Sequence, residues 1–247
     1  RFYERDIDLL LDMPNRPTGV AYVYLEPFME IEKYYGVIAR FHAAGIKVAH
    51  VVSSSKFAAK CEEAGVDAVV AEGFEAGGHN GREETTTMVL IPQVRRATTL
   101  PLIAAGGIAS GEAMLAAEAL GAEGVQCGTV FAMSKESSAA DAFKDRCASL
   151  QEGDTMLCLK KLAPTRMIKN PLYDEIKTAE DNGADAEALR GILGKAASKR
   201  GIFEGDLDRG ELEIGQVASA VKEIQTAAQI VERMMGEYAD ARKRILG

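Results

Sequence analysis

A histidine that follows two glycines is the residue of this 247-residue sequence best placed to do chemistry. His79 comes after Gly77 and Gly78, a few residues beyond the apolar run AVVAE at residues 68–72. Loop positions at the end of a strand sit on a rigid scaffold and often carry function. Because the unperturbed pKa of imidazole is about 6.5, the ring can donate or accept a proton near neutral pH. We therefore predict His79 to be catalytic; the alternative is a solvent-exposed turn histidine.

Two carboxylates flank this loop, and the sequence leaves their roles open. Glu72 ends the apolar run and Glu75 enters the loop. Either could raise the pKa of His79 and orient its ring, or be a surface charge.

The other histidines have simpler explanations. His42 fits a capping or partly exposed residue near a helix end. His50, inside the run KVAHVV, fits a neutral hydrogen-bonded histidine at least as well as a catalytic one.

Glycines follow two further strand-like runs. Gly106 and Gly107 precede Ser110, which stands where a helix would begin, and Gly128 precedes Thr129. In parallel α/β folds the carboxyl ends of the strands carry the active site. Glycines there let backbone N–H groups approach an anion, and a helix N-terminus adds favourable partial charge. The pattern predicts a phosphate clamp, although a glycine pair after a strand can also be only a tight turn.

These residues need a scaffold of alternating strands and helices, which the sequence supplies. Apolar, β-branched runs occupy residues 19–25, 47–52, 68–73, 101–107 and 124–131, with helical stretches between them. Ser54 and Ser110 stand at N-cap positions, and Gly65 and Gly121 stand where a helix would end. The runs are nearly continuous in apolar character, as expected for parallel strands covered on both faces. The sequence therefore predicts consecutive parallel βα units.

The pattern changes beyond about residue 131. Residues 154–210 carry few strand signals, and residues 224–246 are amphipathic at helical spacing. We predict a core of parallel βα units at residues 1–150 and a helical appendage at residues 151–247.

The charge, the lengths of the apolar runs and the cysteine spacing argue against nucleic acid, membrane and metal as binding partners. The formal net charge is −8, from 29 basic and 37 acidic residues, so a nucleic-acid backbone would gain no bulk attraction. No apolar run approaches the roughly 20 residues that cross a bilayer. The four cysteines lack metal-ligand spacing, so we expect no metal site and reduced thiols in the cytoplasm.

Other catalytic signatures are absent from the sequence. It contains no GxSxG elbow, GxxxxGK[ST] loop, HExxH helix or GxGxxG turn. A phosphate clamp beside one histidine, without a nucleophile or a metal cluster, indicates a cofactor that carries the chemistry.

Three stretches resemble one enzyme family. They are AEGFEAGGHNG at residues 71–81, the continuous run from LPLIAAGG to VQCGT at residues 100–129, and FEGDLDRGELEIGQ at residues 203–216. These resemble the FMN-dependent nitronate monooxygenases (2-nitropropane dioxygenases) and the flavin enoyl-acyl-carrier-protein reductases. The resemblance implies a TIM (β/α)8 barrel with FMN at the carboxyl ends of its strands and a helical C-terminal appendage. It further implies that residues 1–150 are the FMN-binding barrel core and that residues 151–247 are a helical lid and barrel-packing segment.

The resemblance also assigns roles to single positions. His79 matches the active-site histidine of the family. The positions that match FMN contacts, together with the glycines beside them, are Glu72, Gly77, Gly78, Gly106, Gly107, Gln126, Cys127, Gly128 and Thr129.

Two branches of the family fit the sequence, and the reductase branch fits better. Glu72 resembles that branch, whereas the oxidase branch often has glutamine there; the long tail is also similar to that of the reductases. This branch implies that NAD(P)H and FMN reduce a 2-enoyl thioester on acyl carrier protein. The alternatives are a nitronate monooxygenase that uses O2 and a non-catalytic binding remnant of the fold.

The resemblance extends to partners. It implies a homodimer, and an acidic carrier would require a basic patch. Lys160, Lys161, Arg166 and Lys169 could supply one, although an ordinary solvated face is the simpler interpretation.

The sequence also departs from the family. Five strands can be counted where the barrel needs eight, since the first two strands and the fourth have no counterpart. Ala21 stands where the family usually has an asparagine that contacts the flavin. We expect that a closed barrel cannot form from these segments alone.

Overall fold

The computed structural model of the protein describes residues 20–22 and 31–246, in an α/β arrangement. The strands are β1 Val20–Tyr22, β2 Lys47–Val52, β3 Ala68–Glu72, β4 Gly78–His79, β5 Leu102–Ala105, β6 Gly124–Gln126, β7 Thr155–Cys158 and β8 Thr165–Ile168. The helices are α1 Ile31–Ala43, α2 Ser55–Glu63, α3 Thr87–Ala97, α4 Gly111–Ala119, α5 Thr129–Ala132, α6 Asp141–Ala148, α7 Pro171–Asp181, α8 Ala186–Leu193 and α9 Ala227–Leu246. A π-helical turn, Lys199–Phe203, and a 3-10 turn, Gln216–Ala220, precede α9.

Five strands form a parallel sheet in the order β1-β2-β3-β5-β6. Each corresponds to one of the five predicted runs, which confirms the predicted βα units. The register pairs Glu72 with Ala105 and Ala105 with Gln126, so the last residues of β3, β5 and β6 lie at one level. The loops that follow β3, β5 and β6 therefore leave the sheet side by side, at the carboxyl ends of the strands.

Both faces of the sheet are covered. Val69 and Ala71 of β3 pack into the main apolar core with the helices, while Val70 lies with Ala49 and Ala105 in a separate cluster of small residues. Because side chains alternate along a strand, these clusters mark the two faces. A strand buried on both faces gives the continuous apolar run seen in the sequence.

The predicted helix ends are confirmed for α2 and α4. The hydroxyls of Ser54 and Ser110 accept hydrogen bonds from the third residue along, each at 3.3 Å. Gly65 and Gly121 follow these helices with φ of +81° and +108°, a region that favours glycine. Helix α3, which follows β4, begins only at Thr87, so Glu83 and Glu84 lie in the loop before it rather than in its first turn.

A second, antiparallel sheet has the order β4-β8-β7. Two of its strands lie in residues 154–210, where the sequence showed few strand signals. The signal was weak because each strand has only four residues and the buried Arg166 of β8 interrupts the apolar pattern. Gly78 pairs with Arg166 and His79 with Thr165, so this sheet positions the candidate histidine.

The C-terminal helix α9 completes the main core. Ile230 and Met234 are buried in it, and the backbone of α9 approaches α4 so closely that a Cβ at Gly111 would lie 1.9 Å from the Tyr238 nitrogen. The Gly111 N–H donates to the Glu237 carboxylate at 2.9 Å. This contact supports a packing role for the segment, whereas the division at residue 150 stays a prediction.

The predicted absence of the fourth barrel strand concerns the position between β1 and β2. Within the described residues, β1 pairs directly with β2, with α1 between them in the chain and no strand inserted. Residues 1–19, on which the predicted absence of the first two strands bears, lie outside the described residues. Among the helices that the structure describes, none is long and apolar enough to cross a membrane.

Candidate functional site

A cavity of about 230 Å³ opens at the carboxyl ends of β3, β5 and β6. Residues from each strand end line one side, and the segment before and after Gly215 lines the other. The lining residues are Glu72, Ala76, Gly77, Ala105, Gly106, Gly107, Ile108, Gln126, Gly128, Thr129, Ala132, Ile202, Glu213, Ile214, Gly215 and Val217.

Most of the predicted cofactor residues meet at this cavity. Glu72, Gly77, Gly106, Gly107, Gln126, Gly128 and Thr129 line it. Gly78, Cys127 and His79 are not among the lining residues. Cys127 packs instead against the main apolar core, and burial raises the pKa of its thiol. It is therefore a packing residue in this structure, adjacent to the residues that face the cavity.

The glycine turns of the two neighbouring strands have the properties of an anion site. Gly106 and Gly107 have φ of +90° and +76°, and a Cβ at Gly106 would lie 2.5 Å from the carbonyl oxygen of Gly73. A Cβ at Gly128 would meet nothing within 4 Å. Within the described part of the chain, the N–H groups of Gly107 and Gly128 donate to no protein acceptor. Free backbone donors beside a cavity can bind an anion such as phosphate.

Thr129 fixes one end of the cavity. It is buried, and its hydroxyl accepts a hydrogen bond of 3.2 Å from the N–H of Gly215. A Cβ at Gly215 would lie 2.7 Å from that hydroxyl oxygen, so only glycine permits this approach. The contact joins the turn after β6 to the C-terminal segment.

Glu72 places a carboxyl in the cavity wall. Burial raises its pKa to about 7, since no cation or hydrogen-bond donor among the described residues offsets the loss of water. The carboxyl is therefore partly protonated near neutral pH, and it can donate or accept a hydrogen bond there.

Glu75 does not pair with His79. Its carboxylate accepts hydrogen bonds from the hydroxyl and the N–H of Thr87, the latter at 3.4 Å, and lies against Gly107. Its role is to connect the loop after β3 to the start of α3 and to the Gly107 turn. The carboxyl that interacts electrostatically with His79 is that of Glu211, whose pKa the histidine lowers slightly against the larger effect of burial. Glu211 was not identified as a site residue from the sequence.

The loop between Glu72 and His79 is held by distant segments. The carbonyl of Glu75 accepts from Gln216 N at 2.9 Å, and a Cβ at Gly77 would lie 2.4 Å from the carbonyl carbon of Ile214. Residues 211–217 thus form a wall of the site. Their signal in the sequence was the alternation of two glutamates with apolar residues in GELEIG.

Arg166 corrects the predicted basic patch. Only 1% of it is exposed, and its Nε and Nη2 donate to the carbonyl of Phe74 at 3.1 and 2.8 Å, with the guanidinium 5.1 Å from the Phe74 ring. Lys160 pairs with Glu84, and Lys161 donates to two carbonyls. A surface patch of four basic residues was wrong because one of the four is buried and anchors the loop after β3.

The remaining histidines have structural partners. His42 lies 2.9 Å from Asp67 at the amino end of β3, and the ring of His50 lies 2.6 Å from the carbonyl of Val51. Burial lowers the pKa of His50, which supports the predicted neutral form. No group of three or more potential metal ligands occurs among the described residues.

Comparison with known proteins gives a consistent result. The family model for nitronate monooxygenase matches residues 30–237. A Staphylococcus aureus protein named "Probable nitronate monooxygenase" is 37% identical over 182 residues, 68% of this chain and 51% of its own length. A Mycobacterium tuberculosis relative is 32% identical over 221 residues, 85% of this chain and 58% of its own length. The chain thus spans a little more than half of these curated relatives.

Solved structures extend the comparison to the fold. FabK from Thermotoga maritima superposes with a TM-score of 0.84 at 35% identity, covering 98% of this chain and 82% of that one. A nitroalkane oxidase from Streptomyces ansochromogenes superposes with a TM-score of 0.77 at 30% identity, covering 98% and 70%. The predicted fold class, an α/β barrel of the TIM type with a helical C-terminal segment, is confirmed. The chain belongs to the nitronate monooxygenase family.

Proposed function

We propose that the protein is an FMN-dependent oxidoreductase and that the cavity at the ends of β3, β5 and β6 holds the cofactor. The observation that carries the proposal is the convergence of Gly107 and Gly128, with free N–H groups, on one cavity. The residues fit a phosphorylated flavin, since glycine at both turns lets a phosphate approach the backbone. Family membership supports the same cofactor.

Several residues of the cavity have a role in this proposal. The turns at Gly107 and Gly128 would bind the phosphate, and the Gln126 and Glu72 side chains would hydrogen-bond to polar edges of the cofactor. Bound FMN supplies hydride transfer. Residues 213–217 would cover the site and exclude water.

His79 would serve the substrate rather than the cofactor. His79 is exposed on β4. The residue before it, Gly78, lies against the side chain of the cavity residue Glu213. An imidazole at the rim can hold a substrate carbonyl or move a proton at its α-carbon. Its position outside the cavity lining agrees with a role toward a molecule that enters from solvent.

We favour enoyl thioester reduction with NAD(P)H as the overall reaction. Glu72 and the superposition on FabK, at a higher TM-score and identity than on the nitroalkane oxidase, support this choice. Oxidation of alkyl nitronates with O2 is the second candidate, because the family model and the Staphylococcus aureus relative carry that name. Acyl carrier protein as the natural carrier and a homodimer stay predictions.

One set of measurements tests the proposal. Purified protein should show the blue and near-ultraviolet absorbance of flavin, directly or after reconstitution with FMN. It should then consume NADH with crotonyl thioester and take up little oxygen with a nitroalkane. The opposite preference would support the nitronate monooxygenase. A colourless protein that cannot be reconstituted would support a non-catalytic remnant.

A further inference from the structure

The hydroxyl of Ser198 lies between two carboxyl groups. Its Oγ is 2.9 Å from Glu211 Oε2 and 2.6 Å from Glu213 Oε1, both within hydrogen-bond distance. A serine hydroxyl has one hydrogen to donate. If both carboxyls were ionised, one of these contacts would set lone pairs against each other, so one carboxyl must carry a proton and donate it to Ser198.

No cation replaces that proton. Among the residues that the structure describes, no lysine or arginine forms an ion pair with Glu211 or Glu213. The neighbouring Lys199 pairs with Glu204, and Arg200 donates to backbone carbonyls. The nearby titratable base is His79, which lowers the pKa of Glu211 less than burial and Glu213 raise it.

Burial decides which carboxyl holds the proton. Glu211 is only 5% exposed, whereas Glu213 is half-buried and lines the cavity. Burial, and next the charge of Glu213, raise the pKa of Glu211. The ground state is therefore a chain in which Glu211 donates to Ser198 and Ser198 donates to the Glu213 carboxylate.

The cavity end of this chain lies beside the candidate histidine. Glu213 Oε2 is so close to the backbone that a Cβ at Gly78 would lie 2.6 Å from it, and His79 is the next residue. Glu213 also bridges to Met167, next to Arg166 on β8. The carboxyl is thus fixed by the same antiparallel sheet that holds His79, and its second oxygen is free to meet a molecule in the cavity.

We propose that Glu213 is a second proton-carrying residue of this site, supplied by Glu211 through Ser198. The Ser198 hydrogen passes to Glu213 and the Glu211 hydrogen passes to Ser198, leaving Glu211 ionised and Glu213 protonated at the cavity. Transfer of that proton to the substrate leaves two carboxylates, and one proton from water restores the first state. The inference rests on the proposed function, since reduction of an enoyl group adds a hydride and a proton.

Infrared spectroscopy of the purified protein tests the stored proton without any substrate. Because Glu72 is also partly protonated near neutral pH, the spectra are recorded in a Glu72→Gln background. In that background the carbonyl band of a protonated carboxyl should be present near neutral pH, shift in D2O, disappear on adding Glu211→Gln, and move on adding Ser198→Ala. Ser149→Ala changes an exposed serine that does not line the cavity; it is the matched control and should leave the band unchanged. A protein without this band, or a band that Glu211→Gln leaves in place, would overturn the proposal.

Half-reaction kinetics test the role of Glu213. With whichever substrate the wild-type protein turns over, Glu213→Gln should slow the substrate step about 100-fold, the range of general acid catalysis, while NADH reduces the flavin at an unchanged rate. Glu213→Asp should recover part of the loss. An unchanged substrate step in Glu213→Gln would overturn the proposal. Failure of the wild-type protein to reduce crotonyl thioester would count against the proposed function and leave the infrared result intact.

Discussion

The parallel sheet and the antiparallel sheet meet at one cavity but hold their residues there in different ways. The parallel sheet contributes backbone N–H groups from turns that directly follow their own strands, as at Gly107 and Gly128. The antiparallel sheet positions the side chain of His79 outside the cavity lining, and its paired residues are far apart in the sequence, since Gly78 pairs with Arg166. The first region is built from local geometry and the second from tertiary contacts.

This difference suits the two sheets to two separate tasks in the proposed function, which are cofactor binding and proton transfer. Backbone donors on a rigid sheet suit a group that stays bound, such as a cofactor phosphate. Titratable side chains on a separate small sheet suit proton transfer to a substrate that comes and goes. Changes in one region should therefore affect cofactor binding, and changes in the other should affect turnover.

Replacement of His79 by alanine should give the largest effect. We expect FMN to stay bound and the substrate half-reaction to slow about 10²- to 10⁴-fold, because a positioned acid or base is lost. Rapid-mixing absorbance of the flavin measures both. His42→Ala removes a histidine paired with Asp67 at the opposite edge of the sheet and should change the rate less than twofold. Loss of FMN from His79→Ala would show that the antiparallel sheet also binds the cofactor, against the proposed separation of the two tasks.

Gly128→Ala tests the parallel sheet. Its methyl group meets no described protein atom within 4 Å and φ is −87°, so the fold should tolerate it. The methyl would crowd a phosphate at the turn, weakening FMN about 10- to 100-fold. Titration of the apoprotein with FMN gives the affinity.

Gly124→Ala is the control for that change. It lies at the other end of β6, and a Cβ there also meets nothing within 4 Å. Equal FMN affinity in the two variants would mean that the Gly128 turn does not face the phosphate.

The parallel region could be predicted from the sequence to a large extent. Strand runs, capping serines and strand-end glycines are local signals, and the structure places Glu72, Gly107 and Gln126 around one cavity as the pattern suggested. The antiparallel region could not. An arginine in a sequence predicts a surface charge, whereas the guanidinium of Arg166 is buried and donates to the Phe74 carbonyl. Nothing in the sequence predicts a role for Ser198, because only the tertiary fold brings it against Glu211 and Glu213.

Arg166→Met should destabilise the protein by about 3 kcal/mol, because the Phe74 carbonyl loses two charge-assisted hydrogen bonds while the apolar volume is kept. Urea denaturation measures the change. Arg209→Met, which breaks an exposed pair with Glu175, should leave the stability nearly unchanged, because solvent screens that pair. If the two variants lose similar stability, the loop before His79 does not depend on the buried guanidinium.

Glu72→Gln gives the smallest expected effect, and it appears as a change in pH dependence. The pKa of Glu72 in the folded protein, about 7, lies above its unfolded value, so the folded state binds the extra proton. Stability from this group is complete below the unfolded pKa and is lost as pH rises through the folded pKa. Between about pH 4 and pH 8 the wild-type apoprotein should therefore lose roughly 2 kcal/mol relative to Glu72→Gln, after a discount for partial exposure. Denaturation curves across that range measure the difference. Parallel pH profiles for the two proteins would show that the carboxyl at the end of β3 is solvated, and that the parallel sheet holds its ligand through the backbone alone.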